Sequence, residues 1–295
     1  MKSLGGFFPS MKKLHCFICI ILFVGCSDEE LNIDDFPNEV VFQVQNACQG
    51  GSINGANPTG NNNTLIWADE FDDSSICEEN WVFETLAPNN GSWYNNEQQY
   101  YTNRSSNATI ENGVLKIIAK KEPFRGKEYT SARITTQNLF EFRYGKVQIR
   151  AKLPVGQGTW PALWMLGSNI DAVGWPECGE IDIMEHGDRE RGLISSSVHI
   201  PSGQPGVSSY SSGAKRIQNE STQFHLYEVV WTEDSIVFSV DNNVHHTYTV
   251  TPEMPFHQDF FLIFNVAMGG DFVQNNIDPN FVSAEMVIDY IRVYQ

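Results

Sequence analysis

The sequence predicts an all-β protein, built as a jelly-roll β-sandwich of two curved antiparallel sheets. From residue 65 onward, short apolar or alternating segments are separated by Gly, Asn and Pro, which is the pattern of strands joined by turns. No segment of helical length combines capping residues with an apolar stripe. A double-layered sandwich protects its edges and leaves one concave face as a long groove, so we expect one large domain of this kind.

The strand predictions come from segments in which apolar residues alternate with polar ones or form short runs between turn residues. The clearest of these segments are residues 113–119, 145–151, 227–231, 236–240 and 285–294. They occur without an internal repeat and without a change of composition that would mark a second domain. The folded domain is therefore expected to span residues 64–295.

The first 26 residues predict a signal peptide. Lys12 and Lys13 precede an apolar run over residues 17–24, which is followed by Gly25 and Cys26. The run is too short to remain as a membrane-spanning helix, and its order of basic, apolar and small residues is typical of an export signal. The segment resembles a bacterial lipoprotein signal, which implies cleavage before Cys26 and lipidation of its thiol.

Residues 27–63 predict a flexible tether, because Asp, Glu, Asn and Gly dominate them. The acidic residues directly after Cys26 resemble the export tag of surface lipoproteins, and an ordinary polar linker is the alternative. On the first interpretation the protein is lipid-anchored in the outer membrane and faces the cell exterior.

Composition limits the partners that the protein can have. Asp and Glu number 36 against 19 Lys and Arg, for a formal net charge of −17. A nucleic-acid partner is not expected, because phosphate binding requires a basic surface. A neutral polysaccharide is unaffected by this charge, and the seven tryptophans suit either stacking on sugar rings or a large β core.

The cysteines leave several pairings open. Once the signal is removed and Cys26 is lipidated, Cys48, Cys77 and Cys178 remain, and three cysteines cannot all pair. A disulfide between Cys48 and Cys77 is one option in an oxidising compartment. Cys178 would then be a small packed residue behind the strand that follows it.

Three acids, Glu180, Asp182 and Glu185, lie close together in residues 179–187. Side chains alternate between the faces of a strand, so Glu180 and Asp182 share a face and Glu185 lies on the other. One extra residue in a β-bulge, for which Met184 is the candidate, returns Glu185 to the acidic face. A solvated acidic surface is the alternative explanation for this group.

Two glutamates on one face, with an aspartate between them, can hydrolyse a glycosidic bond with retention of configuration. One carboxylate attacks the anomeric carbon while the other protonates the leaving oxygen, which requires a separation of about 5–5.5 Å. Each ionised acid raises the pKa of its neighbours, so one acid can stay protonated while another stays ionised.

The acidic segment resembles the active-site signature of glycoside hydrolase family 16, in the version with the extra residue that is found in the laminarinase branch. The resemblance covers residues 67–294 and implies a concanavalin A-like jelly roll. It also implies endo-acting, retaining hydrolysis of internal β-1,3 linkages in laminarin-type β-glucan, with no cofactor for catalysis. Carried over to this chain, it assigns Glu180 as nucleophile, Asp182 as its helper and Glu185 as acid/base.

The resemblance extends to residues 93–101, 129–134, 158–165, 264–270 and 289–294. It implies substrate-binding roles for Asn96, Arg133, Trp160, Trp164, Trp175, His199 and Asn265. Core packing is the alternative for the tryptophans, and a packed or exposed polar group is the alternative for the others. The chain has Asp271 and Phe272 where the family commonly has a tryptophan, so we expect the outer groove to differ.

The resemblance also implies a structural Ca²⁺ on the convex face, bound by Glu70, the carbonyl of Gly113 and Asp289, because oxygen ligands suit a hard cation. The catalytic domain is expected to be monomeric. Two other functions stay open. One is a hydrolase of the same family acting on mixed-linkage β-1,3-1,4-glucan or an algal galactan, and the other is a glycan-binding lipoprotein without activity, which the presence of all three acids disfavours.

Overall fold

Two stacked β-sheets contain nearly all of the regular structure in the computed structural model, which describes residues 51–52, 64–89, 91–187 and 190–295. The chain divides into two units, Met1–Gln45 and Asn46–Gln295, and all of the described residues belong to the second. The predicted signal peptide with Cys26, and most of the predicted tether, lie outside the described residues. No helix in the described part of the chain is long and apolar enough to span a membrane.

The elements follow one another as short strands with one helical turn. They are β1 Gly51–Ser52, β2 Leu65–Asp69, β3 Val82–Phe83, β4 Gln99–Tyr101, β5 Ala108–Ile110, β6 Leu115–Phe124, β7 Lys127–Ser131, β8 Arg133–Thr135, β9 Gly145–Lys152, β10 Thr159–Gly167, α1 Ile170–Val173, β11 Glu180–His186, β12 Leu193–Pro201, β13 Ser208–Arg216, β14 His225–Trp231, β15 Ser235–Val240, β16 Asn243–Thr249, β17 Phe260–Met268 and β18 Ser283–Tyr294.

The smaller sheet has seven strands in the order β13-β12-β11-β10-β17-β8-β3. The larger sheet has the order β16-β15-β14-β9-β18-β6-β7-β4, with β2 also paired to β18, β1 to β2 and β5 to β6. The predicted sandwich of antiparallel sheets is confirmed with one exception, since β4 and β7 pair in parallel. The β5–β6 hairpin between them provides the long crossover that parallel pairing requires.

The core lies between the sheets because alternate side chains of the strands point inward. In β9 every second residue is buried, beginning with Gly145, as the period of two requires. Every residue of β17 is buried, because this central strand is covered on both faces. Trp231 of β14 packs edge-on against Phe260 of β17, with ring centroids 5.1 Å apart, so aromatic contacts join the two sheets.

The tether prediction is wrong at residues 51–52. Gly51 and Ser52 form β1, which pairs with Ala68 and Trp67 of β2. A two-residue edge strand has no alternation to detect, and its Gly and Ser have the composition of a linker. This part of the chain therefore belongs to the larger sheet.

The structure decides the pairing state of two of the three remaining cysteines. Cys77 is disulfide-bonded, whereas Cys178 is a free, buried thiol packed against Phe261 and Ile263. The predicted packing role of Cys178 is therefore confirmed. Cys48 lies outside the described residues, so its pairing with Cys77 stays a prediction.

Candidate active site

The register of β11 against β12 shifts between Asp182 and Glu185. Two consecutive residues, Ile183 and Met184, occupy the space opposite one residue of β12, and both are buried in the core. The predicted bulge is therefore confirmed. It returns Glu185 to the face that already carries Glu180 and Asp182.

The predicted extra residue of the bulge was Met184, but the pairing of β11 with β10 identifies Ile183 instead. Against β10 the register shifts between Leu163 and Trp164, so that Met184 stays paired with Leu163 and Ile183 has no partner. The Ser196 hydroxyl donates a hydrogen bond of 2.7 Å to the carbonyl of Ile183, which satisfies the acceptor that the bulge displaces. Parity alone cannot tell which of two consecutive apolar residues is skipped.

A serine hydroxyl connects two of the three acids. Ser197 Oγ donates to Asp182 Oδ2 at 2.6 Å and lies 3.4 Å from Glu185 Oε2. Asp182 is 3% exposed, while both glutamates are half-buried. The acids are one cluster, with Asp182 at its base.

Two side chains surround the carboxylate of Glu180. The indole N–H of Trp175 donates to Glu180 Oε2 at 2.8 Å. His199 Nε2 lies 3.3 Å from Asp182 Oδ2 and 3.8 Å from Glu180 Oε1. Burial lowers the pKa of His199, but the hydrogen bond to Asp182 and the three carboxylates outweigh it and raise that pKa to about 9. His199 is therefore an imidazolium cation at neutral pH.

The pKa values of both glutamates are raised. Burial, followed by the charge of Asp182, raises the pKa of Glu185 to about 8, against the opposing hydrogen bond from Trp160. Glu185 thus keeps its proton at neutral pH, as a general acid must. Burial and Asp182 also raise the pKa of Glu180 well above its ordinary value, but the His199 cation and the Trp175 N–H oppose this shift and favour the ionised form.

The seven tryptophans separate into two groups by burial. Trp67, Trp81, Trp93 and Trp231 are buried, whereas Trp160, Trp164 and Trp175 remain partly open. The open ones are the three that were predicted to bind substrate. Each directs its indole N–H to a polar side chain of the site, so each ring is held in one orientation.

Comparison with known proteins agrees with this geometry. Residues 95–292 match Glycosyl hydrolases family 16. The chain belongs to this family. A β-glucanase of Rhodothermus marinus is 39% identical over 245 residues, which cover 78% of this chain and 85% of that protein. The family membership establishes that the protein is a glycoside hydrolase.

Solved structures of family 16 enzymes share both the fold and the sequence. The laminarinase of Flavobacterium sp. UMI-01 is 43% identical with a TM-score of 0.72, over 79% of this chain and 100% of that chain. A mutant of SCLam, described as a non-specific endo-β-1,3(4)-glucanase, is 35% identical with a TM-score of 0.74, over 79% and 94% of the two chains. The concanavalin A-like jelly roll expected for the family is thus the fold of this hydrolase.

In this family 16 hydrolase, Trp160 is hydrogen-bonded to Glu185, the predicted acid/base residue. Its indole N–H donates to Glu185 Oε1 at 3.0 Å, and its ring stacks on Phe272 with centroids 5.1 Å apart and planes 11° apart. Phe272 therefore covers one face of the Trp160 ring. Asn96 donates to Asp271 at 2.8 Å, which ties the segment before β4 to the loop that carries Phe272.

Arg133 and Trp164 form a second wall. The Arg133 guanidinium lies between the rings of Trp93 and Trp164, 4.9 and 4.8 Å from their centroids, and pairs with Glu84. Cation–π contacts of this kind hold both the cation and the rings. Arg133 is therefore engaged by protein groups on three sides.

A buried hydrogen-bond chain supports this wall from below. Trp164 donates to Asn265 Oδ1 at 2.8 Å, Asn265 donates to the Tyr101 hydroxyl at 3.0 Å, and Tyr101 donates to Glu97 at 3.1 Å. Burial raises the pKa of Glu97, against the charge of Arg133. Tyr101 and Glu97 were not predicted as site residues, because a buried network across two sheets leaves no periodic pattern in the sequence.

Ser197 was also missed, although a signal for it existed. It lies two residues before His199, which places both on one face of β12, and it pairs with Asp182 across the ladder. Trp160, Trp175 and His199 lie at the acids themselves. Arg133 and Asn265 contact Trp164, which pairs with Asp182 across β10 and β11, and Asn96 is joined to the loop at Asp271.

The predicted calcium ligands are engaged differently. Both carboxylate oxygens of Glu70 accept hydrogen bonds from Arg292, at 2.7 and 2.9 Å, and Asp289 pairs with Arg150. In this arrangement each of these two carboxylates is paired with a guanidinium group. The role of Gly113 and the site itself stay predictions.

Among the described residues, only Glu180, Asp182 and His199 bring three potential metal-binding side chains of the His, Cys, Asp and Glu types close together. This group is part of the acid cluster on β11 and β12.

The hydrogen bond from Trp160 predicts a change in the pH profile. Removing the N–H in Trp160→Phe takes away a donor to the ionised form of Glu185, so the pKa of Glu185 rises, by about one unit for a hydrogen bond to a charged group. Because the pKa of Glu185 is raised to about 8, we expect the basic limb of the kcat/KM profile near pH 8 in the unaltered enzyme and at higher pH in Trp160→Phe. Trp164→Phe, whose indole bonds to Asn265, is the control with an unmoved limb. A limb that stays or moves down in Trp160→Phe contradicts the assignment of Glu185.

Proposed function

We propose that this protein is an endo-acting β-1,3-glucanase that hydrolyses internal linkages of laminarin-type glucans with retention of configuration. The observation that carries the proposal is the acid cluster on β11, in which the bulge places a protonated Glu185 on the same face as Glu180. The likeness to a β-glucanase and to a laminarinase supports the substrate class.

In the first step, a carboxylate oxygen of Glu180 attacks the anomeric carbon and forms an ester bond to it. The glycosidic bond breaks, and Glu185 transfers its proton to the departing oxygen. Trp175 holds Glu180 Oε2, while His199 is 3.8 Å from Oε1, which is beyond hydrogen-bonding distance. Oε1 is therefore the oxygen that is free to attack.

Asp182 and His199 keep Glu180 reactive. The His199 cation balances the charge of Asp182, to which it is closer, and so limits the repulsion that would protonate Glu180. The Ser197 hydroxyl has one proton, and it donates this proton to Asp182, which is closer to Ser197 Oγ than Glu185 is. The nucleophile thus has an ionised form available even though it is surrounded by other acids.

In the second step, Glu185 is a carboxylate and acts as a base. It takes a proton from water, and the resulting hydroxide attacks the anomeric carbon from the face that the first product left. The ester bond to Glu180 breaks, and Glu185 regains its proton. Two inversions give net retention, and the cluster returns to its starting state.

A second candidate substrate is mixed-linkage β-1,3-1,4-glucan. It is favoured by the likeness to SCLam, described as a non-specific endo-β-1,3(4)-glucanase. A galactan is the third possibility from the sequence. The three tryptophans that remain open beside the acids support the laminarin-type assignment.

The first test combines substrates with variants. The unaltered protein, incubated with laminarin, lichenan, agarose and carrageenan, should shorten laminarin to mixed oligosaccharides, as measured by size-exclusion chromatography. Glu180→Gln and Glu185→Gln should each lower kcat by at least about 10³-fold, since an amide can neither attack nor transfer the proton. Asp182→Asn should be impaired less. Substantial activity in Glu180→Gln would contradict the proposed mechanism. Cleavage of agarose alone would contradict the proposed substrate.

A chemical test separates the two glutamates. With an activated glycoside and added azide, Glu185→Ala should form the glycosyl-enzyme and then yield a β-glycosyl azide, because azide attacks without a base. Glu180→Ala should yield the α-azide by a single displacement. Proton NMR of the anomeric proton distinguishes the products, and the opposite pair of anomers would show that the two roles are reversed.

We also propose that the protein is anchored to the outer membrane through lipid on Cys26, as the order of residues 12–26 predicts. Cys26→Ser should release the protein into the soluble fraction, because no other acylation site is proposed. Cys19→Ser, in the same apolar run, is the matched control that should still fractionate with membranes. A Cys26→Ser protein that stays with the outer membrane after a high-salt wash contradicts the anchor.

A further inference from the structure

A row of rings leads from the catalytic acids to the edge of the seven-stranded sheet. The ring centroids of Trp175 and His199 are 6.2 Å apart, and those of His199 and Tyr210 are 5.6 Å apart with an angle of 28° between the planes. Glu180 pairs with His199 across β11 and β12, and His199 pairs with Tyr210 across β12 and β13. Directly paired residues point to the same face, so Tyr210 faces the groove.

Packing does not explain an aromatic residue at position 210. Tyr210 is 70% exposed, and its neighbours along β13 are serines, glycine, alanine and basic residues. Its hydroxyl has no hydrogen-bond partner among the described residues. One face of the ring rests on His199, which leaves the other face open.

We propose that Tyr210 forms a further sugar-binding subsite, on which a glucose unit of the bound chain stacks with its apolar face. The proposal rests on the proposed function. Tyr210 lies two strand spacings from Glu180, about 9–10 Å, so the unit stacked there is not the one that is attacked. Aromatic rings beside a few polar groups are typical of ligand sites.

Serine hydroxyl groups lie on both sides of the Tyr210 ring, where they could form hydrogen bonds to a stacked sugar. Ser208 Oγ lies 3.2 Å from His199 Nδ1, and Ser212, two residues along β13 on the face of Tyr210, is exposed. Both side chains can donate to and accept from sugar hydroxyls. The occupant is a neutral pyranose of the same polysaccharide, because the row is continuous with the acids that cut it.

The alternative is that Tyr210 only supports the imidazole of His199. The two roles have different kinetic signatures. A remote subsite affects only substrates long enough to reach it, and it changes KM. Support of His199 affects every substrate, and it changes kcat and the pH profile.

The experiment compares a short and a long oligosaccharide of whichever glucan the unaltered protein cuts. Tyr210→Ala should raise KM for the long substrate about fivefold, which is about 1 kcal/mol at 1.4 kcal/mol per factor of ten, and leave kcat and the short substrate unchanged. Tyr210→Phe, which keeps the ring, should resemble the unaltered enzyme. Val207→Ala, an exposed apolar side chain in the same hairpin, is the control.

Each other outcome overturns the subsite. Unchanged kinetics in Tyr210→Ala would mean that the ring contacts no sugar. An equal loss on both substrates, with a lower kcat or a shifted pH limb, would mean that Tyr210 acts through His199. If the unaltered protein cuts a glucan other than laminarin, the proposed linkage fails, whereas the comparison of variants still decides the role of Tyr210.

Discussion

Glu180, Asp182 and Glu185 repel one another when ionised, and their burial removes the water that would screen the repulsion. The surrounding groups offset this repulsion in part with a positive charge and in part with hydrogen-bond donors. His199 supplies a cation beside Asp182, and two indole N–H groups and one hydroxyl supply the donors. Burial and, after it, the remaining repulsion from Asp182 raise the pKa of Glu185 to about 8, so the conditions that destabilise the cluster also keep a proton on Glu185.

The fold makes this arrangement possible by placing β11 well inside the smaller sheet, between β10 and β12. Each donor to the acids comes from a neighbouring strand or from the loop before β11. Beneath them, Ile181, Ile183 and Met184 are buried in the core, which fixes the strand against the other sheet. A change in one wall of the groove can therefore alter the pKa of an acid without moving the backbone that carries it.

Periodic features of the chain were predictable from sequence, and pairings across the fold were not. The strands, the bulge after Asp182 and the common face of the three acids follow from a period of two. The skipped residue was misassigned because Ile183 and Met184 are both apolar and either restores the parity. Contacts between residues far apart in sequence leave no local pattern from which they could be predicted. Examples are the hydrogen-bond network from Trp164 to Glu97 and the arginine ion pairs of Glu70 and Asp289. The tether prediction was wrong at residues 51–52 for a third reason, because the sequence of so short a strand is indistinguishable from that of a linker.

The bulge in β11 has a consequence for how such a chain can change over generations. Because Ile183 and Met184 together oppose one residue of β12, deleting either would leave Glu180, Asp182 and Glu185 opposite the same three residues as before. The deletion would remove one apolar side chain from the interior and leave a space there, while the acids kept their positions. Gain and loss of this residue are thus interchangeable for the chemistry, and descendants with and without it can retain one catalytic arrangement.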